Sequence, residues 1–359
     1  MTIQAQLLAW ASEQTQLLGV TFTQADPLKG DAGFRRYVRL NTNPAMLAVY
    51  GPPATEKHDA FVQIAHHWQA NGLCTPKVYA FDGERGFLLI ADLGATSLSD
   101  VLVQAPNLEA VAKLYAPVFS QLRVLQQLPP AAFYPPYSRA LLLQEMALFA
   151  PWFVESLLGH SLASHEQVLL NTVFDALIHN AVAQPQVIVH RDLHCRNIQC
   201  AQSAPPKDAP QHFSNDTTLV SERCGFIDFQ DAVLGPITYD WVSLLKDCYQ
   251  LWPAHFVNEQ LEQYNASLPK YLQIPPYKLQ ETFDLMGLQR HIKVLGIFAR
   301  LSLRDGKADY LNDLPTVIAY VRDVCQRYSA FKPFAKWFDE VLLPQCALQP
   351  WYHAVEIRP

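Results

Sequence analysis

Apolar positions change their rhythm several times along the chain. Gln4 to Leu18 carries apolar residues at Leu7, Leu8, Trp10, Ala11, Leu17 and Leu18 without Gly or Pro, and this spacing predicts an amphipathic helix. Phe34 to Leu40 then alternates, Ala45 to Tyr50 is apolar throughout, and the Gly30-Asp31-Ala32-Gly33 run ahead of them is a hairpin-type turn signal. Lys57 to Ala70 reads as a helix, and Lys77 to Phe81 and Gly86 to Ala91 as short strands separated by the turn Asp82-Gly83. From Ser97 onward the spacing is helical, through Leu108 to Leu128, Ser138 to Leu158 and Ser164 to Ala183. Two β-branched strands, Val187 to Val189 and Phe226 to Phe229, interrupt it. Between them Ala201 to Arg223 is rich in Pro, Ser, Asp and Thr and predicts a surface insertion. Helices follow at Tyr239 to Gln250, His255 to Leu268, Lys278 to Leu303 and Leu311 to Tyr328, the third with a core-facing stripe of Leu285, Leu288, Ile292, Leu295 and Ala299. The pattern predicts an α+β chain of two lobes, residues 1–93 and 94–359. A linker at Asp92-Leu93-Gly94-Ala95 joins them, with a cleft expected beneath it.

Composition narrows the class. Half of the 359 residues are hydrophobic and 17% are charged, which excludes disorder for most of the chain. The net charge of -6 lacks the basic footprint that a nucleic-acid or membrane-surface protein would show, so neither partner is expected. The first basic residue is Lys29, which leaves no charged leader segment, and a cytoplasmic monomer is expected. The most apolar stretch, Ala140 to Leu158, is broken by Gln144, Glu145 and Glu155, so no membrane span is expected. Seven cysteines with no C-x-x-C predict reduced, mostly buried thiols.

The chemistry concentrates in two segments. In Val189-His190-Arg191-Asp192-Leu193-His194-Cys195-Arg196-Asn197-Ile198 a strand enters a polar loop and resumes; in Gly225-Phe226-Ile227-Asp228-Phe229-Gln230-Asp231 an apolar strand ends in a carboxylate. Phosphoryl transfer from a nucleotide needs one carboxylate to orient and deprotonate the acceptor hydroxyl, and a carboxylate with an amide oxygen to hold Mg2+ on the phosphates. Asp192 suits the first role, and Asp228 with Asn197 the second. Mg2+ prefers hard oxygen donors and takes only one or two protein groups beside substrate phosphates. Either carboxylate alone would more often be a turn or cap residue; the paired pattern is specific. His190, Asp192 and His194 could imitate a zinc cluster, but no H-E-x-x-H or Cys pair accompanies them, so His190 is expected to scaffold the loop.

On His190-Arg191-Asp192, Asn197, Ile227-Asp228-Phe229 and Asp240 the sequence resembles the aminoglycoside phosphotransferase and choline kinase branch of the protein-kinase-like superfamily. Gly30 to Tyr37, Asp228 to Pro236, Leu244 to Cys248 and Met286 to Leu301 are closer still to the anomeric sugar kinases of peptidoglycan recycling, which use ATP to phosphorylate the C1 hydroxyl of N-acetylmuramate and N-acetylglucosamine. The resemblance implies a bilobal fold with a small β-rich nucleotide lobe and a larger helical lobe. It places Gly30 and Gly33 over the ATP phosphates, Ala91 and Leu93 at the adenine edge, and Gln230, Asp231 and His194 near the sugar. Arg290, His291 and Lys293 are expected as a solvated helix face, or less readily as a site for a lactyl carboxylate. One departure stands out: the strand that carries a phosphate-binding lysine in such kinases reads Met46-Leu47-Ala48-Val49-Tyr50. Of Arg35, Arg36, Arg39 and Lys57, the replacements expected are Arg36 and Lys57. The alternatives left open are a kinase of the same fold with an aminoglycoside or another small hydroxyl compound as acceptor, and a nucleotide-binding pseudokinase.

Overall fold

A computed structural model describes residues 1–28, 34–200, 224–353 and 355. The expected hairpin tip with Gly30 and Gly33, and the insertion 201–223, lie outside the described residues. The chain forms two compact units, one of Met1–Leu128 with Arg196–Ala232 and one of Pro129–Cys195 with Val233–Pro359.

In the first unit helix α1 (Ile3–Leu17) is capped by the Thr2 hydroxyl, which accepts from the Ala5 amide at 3.3 Å. Five antiparallel strands follow, β1 (Ala25–Pro27), β2 (Arg36–Leu40), β3 (Met46–Tyr50), β4 (Val78–Asp82) and β5 (Phe87–Ala91), in the spatial order β1-β2-β3-β5-β4. Because side chains alternate along a strand, Val38, Leu40, Met46, Ala48, Phe87 and Leu89 form a single core with Leu7, Trp10 and Ala11 of α1. Each large apolar side chain buried there stabilises the fold by about 1.5–3 kcal/mol. Helix α2 (His58–Ala70) buries Phe61, Ile64, Ala65 and Trp68, and the Phe61 ring stacks on Phe229 with centroids 4.7 Å apart. Helices α3 (Leu98–Val103) and α4 (Leu108–Gln127) precede a two-stranded ribbon of Ile198–Cys200 and Cys224–Phe226. Outward-facing amides dock this ribbon: Phe226 N donates to Cys74 O and Cys200 N to Thr96 O, at 2.9 and 2.8 Å. Gly225 packs under Leu93, whose Cδ1 would lie 2.4 Å from a Cβ at that position.

The second unit is built round the helix Pro276–Asp305, which starts at a proline and ends at Gly306 in the left-handed conformation (φ 69°). Of its predicted stripe, Leu288, Ile292, Leu295 and Ala299 are buried and Leu285 is half-buried. At Gly296 it approaches the backbone of Leu148 and Phe149 so closely that a Cβ would lie within 2.7 Å of three backbone atoms. The strands Gln186–Val189 and Val233–Pro236 pair antiparallel and deliver the loop that begins at His190.

Several expectations shift. The helix predicted over Ser138 to Leu158 is α-helical at Arg139–Met146 and π-helical at Phe149–Leu157. Pro151 lacks the amide that an α-helical ladder needs at that turn. The run Arg139–Leu157 is long and apolar enough to cross a membrane by length and composition alone. Phe149, Phe153 and Val154 are nonetheless spent on this unit's own core. The strand predicted over Phe226 to Phe229 stops at Phe226, since Asp228 takes φ 63° and cannot continue it. The helix from Tyr239 stops at Leu245 rather than Gln250, and Asp247 accepts from the Tyr249 amide at 3.2 Å instead. Val233–Pro236 is a strand, and Lys332–Trp337 and Leu343–Ala347 are helices, that the pattern did not announce. Compactness also groups the chain differently from a cut at residue 93: α3, α4 and Arg196–Ala232 cohere with the sheet, because Thr96, Cys74 and Gln121 hold the Ile198–Phe226 ribbon. All seven cysteines are free.

Candidate active site

Asp192 sits in the loop after Gln186–Val189, and that loop is held from below by side chains. Asp240 accepts the amides of His190 and Arg191, one on each carboxylate oxygen, at 2.8 and 3.2 Å. Burial pushes Asp240 up to about 7 against the pull of those two amides. Asp247 accepts the Cys195 amide at 2.9 Å, and the Asp192 amide donates to His190 Nδ1 at 3.3 Å, the scaffold role expected of that histidine. Arg191 has φ 75° and Asp228 φ 63°, and among the described residues no other non-glycine residue has a positive φ. Left-handed backbone at such residues costs of order 1–3 kcal/mol and persists where the surroundings over-determine it. Both outliers fall inside the two motifs.

The environment of Asp192 is an ion network that sequence reasoning had not found. Arg290 Nη1 lies 4.0 Å from Asp192 Oδ1 and donates to Arg191 O and the Tyr239 hydroxyl at 2.9 and 3.1 Å. Lys293 Nζ donates to Glu145 Oε1 and the Tyr239 hydroxyl, both at 3.0 Å. Glu145 also takes the Arg191 guanidinium and the Tyr137 hydroxyl. Arg290 and Lys293 are therefore not on a solvated face: both are buried, as is His291, whose Nε2 lies 3.0 Å from Lys246 O. The available signal was Glu145 inside the apolar run Ala140 to Leu158, and Arg290 and Lys293 interspersed among the stripe residues Leu288, Ile292 and Leu295. Burial pushes Asp192 upward, but Lys293, Arg290, His194 and Arg191 outweigh it and bring the carboxyl down to about 2. Its side chain keeps 47% of its surface open, so a stable anion is presented to incoming molecules. His194 meets Tyr249 edge-on with centroids 5.2 Å apart.

Asn197 and Asp228 belong to the other unit. Ile198 pairs with Phe226 and the Ile227 amide donates to Asn197 O at 3.1 Å, so both residues lie at one end of the ribbon. They supply an amide oxygen and a carboxylate, a hard-donor pair of the kind Mg2+ accepts. Among the described residues no three His, Cys, Asp or Glu side chains gather into a metal cluster. Gln230 Nε2 donates to Asp228 Oδ1 at 2.8 Å and its Oε1 accepts from Arg35 Nη1 at 2.9 Å. Asp231 pairs with Lys57 at 2.6 Å on the surface. Arg36 is exposed and lines a cavity of about 440 Å3 beside α1, with Phe34 and Tyr50. The Ala91 amide is taken by Lys77 O at 2.8 Å and the Asp92 amide by Ala45 O at 3.0 Å, while the Leu93 side chain covers Gly225.

Residues 24–204 and 215–276 match the phosphotransferase enzyme family. The chain belongs to that family. This phosphotransferase is 36% identical over 335 residues to the N-acetylmuramate/N-acetylglucosamine kinase of Pseudomonas putida, covering 90% of this chain and 91% of that one. It is 35% identical over 305 residues to the protein of the same name from Pseudomonas aeruginosa, covering 84% of this chain and 83% of that one. Among solved structures, choline kinase LicA from Streptococcus pneumoniae superposes with a TM-score of 0.59 at 13% identity, covering 89% of this chain and 99% of that one. The ADP-bound aminoglycoside phosphotransferase APH(2'')-Ib gives 0.58 at 12%, covering 89% and 98%. The phosphotransferase thus has the α+β, protein-kinase-like fold expected of it.

Proposed function

We propose that this phosphotransferase moves the γ-phosphoryl group of ATP to the anomeric C1 hydroxyl of N-acetylmuramate or N-acetylglucosamine. The observation that carries the reaction is Asp192, an exposed carboxylate on a loop whose amides are fixed by Asp240 and Asp247. The acceptor follows from the likeness to the two Pseudomonas kinases along most of the chain. Asp192 accepts a hydrogen bond from the acceptor hydroxyl and aims its oxygen; at a pKa of about 2 it takes the proton late, once the forming P–O bond has acidified it. An anomeric hydroxyl is more acidic than an ordinary sugar hydroxyl, which suits so weak a base. Asp228 and Asn197 would hold Mg2+, which when bound neutralises phosphate charge. Gln230 fixes the Asp228 carboxylate through its amide. Catalysis is then mainly alignment.

An ATP-consumption assay with N-acetylmuramate, N-acetylglucosamine, kanamycin, choline and homoserine tests the reading. Turnover is expected with the amino sugars, and Asp192→Asn should lower kcat by roughly 10²- to 10⁴-fold. Turnover confined to a non-sugar overturns the acceptor, and full activity in Asp192→Asn overturns the mechanism.

A further inference from the structure

Strand β3 offers no cation where related kinases place their phosphate-binding lysine. Arg35 lies one residue before β2, whose Arg36 is paired with Tyr50 at the end of β3. It is 9% exposed. Its Nε is 2.9 Å from Glu56 Oε2, its Nη1 donates to Gln230 Oε1 at 2.9 Å, and its guanidinium lies 5.3 Å from the centre of the Phe61 ring. Nη2 is buried and has no hydrogen-bond partner among the described residues. Gln230 passes the contact on to Asp228. A buried guanidinium held on one side by a carboxylate, with an unused donor and a two-bond link to the metal-holding carboxylate, is built to receive an anion: a planar fork of donors matches phosphate oxygens. Of the other cations near this strand, Arg39 is engaged with Asp92 and Lys57 with Asp231.

We propose that Arg35, held by Glu56, is the cation that binds the nucleotide's phosphates in place of the missing strand lysine, and that Gln230 couples it to Asp228. This rests on the phosphotransferase reading above and sets Arg35 in the place that the sequence pattern gave to Arg36 and Lys57. Arg36 and Arg35 are neighbours in the sequence, and only burial tells them apart.

Calorimetric titration of the full chain with ATP, ADP and adenosine, in the wild type, Arg35→Gln, Arg35→Lys and Arg36→Gln, tests the assignment. Arg35→Gln should weaken ATP and ADP about 10- to 100-fold and leave adenosine within about threefold, since a hydrogen bond to a charged group is worth that much. Arg35→Lys keeps the charge and stem, so it preserves the fold, and should lose about tenfold for ATP alone because it lacks the fork. Arg36→Gln should bind like the wild type. Unchanged ATP affinity in both Arg35 variants, or an equal loss for adenosine, overturns the assignment. A wild type that binds ATP no better than adenosine overturns the phosphotransferase reading with it.

Discussion

Glu145 offers the sharpest test of the network behind Asp192. Three cations, Arg191, Arg290 and Lys293, face three carboxylates, Glu145, Asp192 and Asp240. Glu145→Gln keeps the shape and still accepts from Tyr137, but leaves Arg191 and Lys293 sharing one negative charge fewer. Burial pushes Glu145 upward, yet Lys293 and Arg191 hold it below the usual carboxylate value, so in the folded protein it is an anion. Its side chain is only 9% exposed, so solvent screens little of the loss. Breaking a buried ion pair by removing one partner costs about 3–5 kcal/mol. The retained hydrogen-bond acceptor places this variant near 3 kcal/mol, roughly a hundredfold in the folding equilibrium. The uncompensated positive charge also lowers the basicity of Asp192 further, so kcat should fall as well. Urea unfolding followed by tryptophan fluorescence and circular dichroism, with kcat from the ATP assay, measures both. A stability loss under about 1 kcal/mol together with wild-type kcat would mean that Glu145 does not compensate these cations, and the reasoning fails.

Two further predictions concern the helix Pro276–Asp305. Gly296→Ala puts a Cβ 2.5 Å from Leu148 C and 2.6 Å from Phe149 N, backbone atoms that cannot swing away, so overpacking of about 3 kcal/mol should outweigh any gain in helix propensity. A thermal melt should show Tm lower by roughly 6–12 °C, and an unchanged Tm would contradict the close approach. His291, stacked on Tyr320 with centroids 4.6 Å apart, is pushed down to about 3 by burial and stays neutral in the folded protein. The unfolded chain takes up this proton near pH 6.5, so the stability it contributes is present above that pH and is lost as pH falls from 6.5 toward 3. The slope is up to about 1.4 kcal/mol per pH unit. His291→Gln, which keeps a donor for Lys246 O, should flatten that acid loss in urea midpoints measured from pH 7 to 4; an identical slope would refute the assignment.

Much of the lower-order structure is local and was readable in the residues. Alternation in Arg36–Leu40 and the apolar run Met46–Tyr50 become adjacent strands, and the three- and four-residue spacing of Leu288, Ile292, Leu295 and Ala299 becomes a buried stripe. The segments proposed for phosphoryl transfer could be picked out for the same reason, since Asp192 and Asn197 are only five residues apart and their residue types suit that chemistry. What periodicity could not tell was the partner of any charged side chain. A cation beside the apolar stripe of a helix reads equally as a snorkelling surface residue or a buried ion, and only the packing of Arg290 and Lys293 against Tyr239, with Glu145 arriving from another helix, decides it. Arg35 and Arg36 carry the same chemistry at consecutive positions, and the fold buries one against Glu56 and Phe61 while leaving its neighbour exposed. The sequence by itself determined which elements form and which residue types can transfer a phosphoryl group, because helix and strand periods and motif spacings are short-range. The tertiary structure alone decided which charges are buried, paired and aimed, because burial and ion pairing join residues as distant along the chain as Glu145 and Lys293.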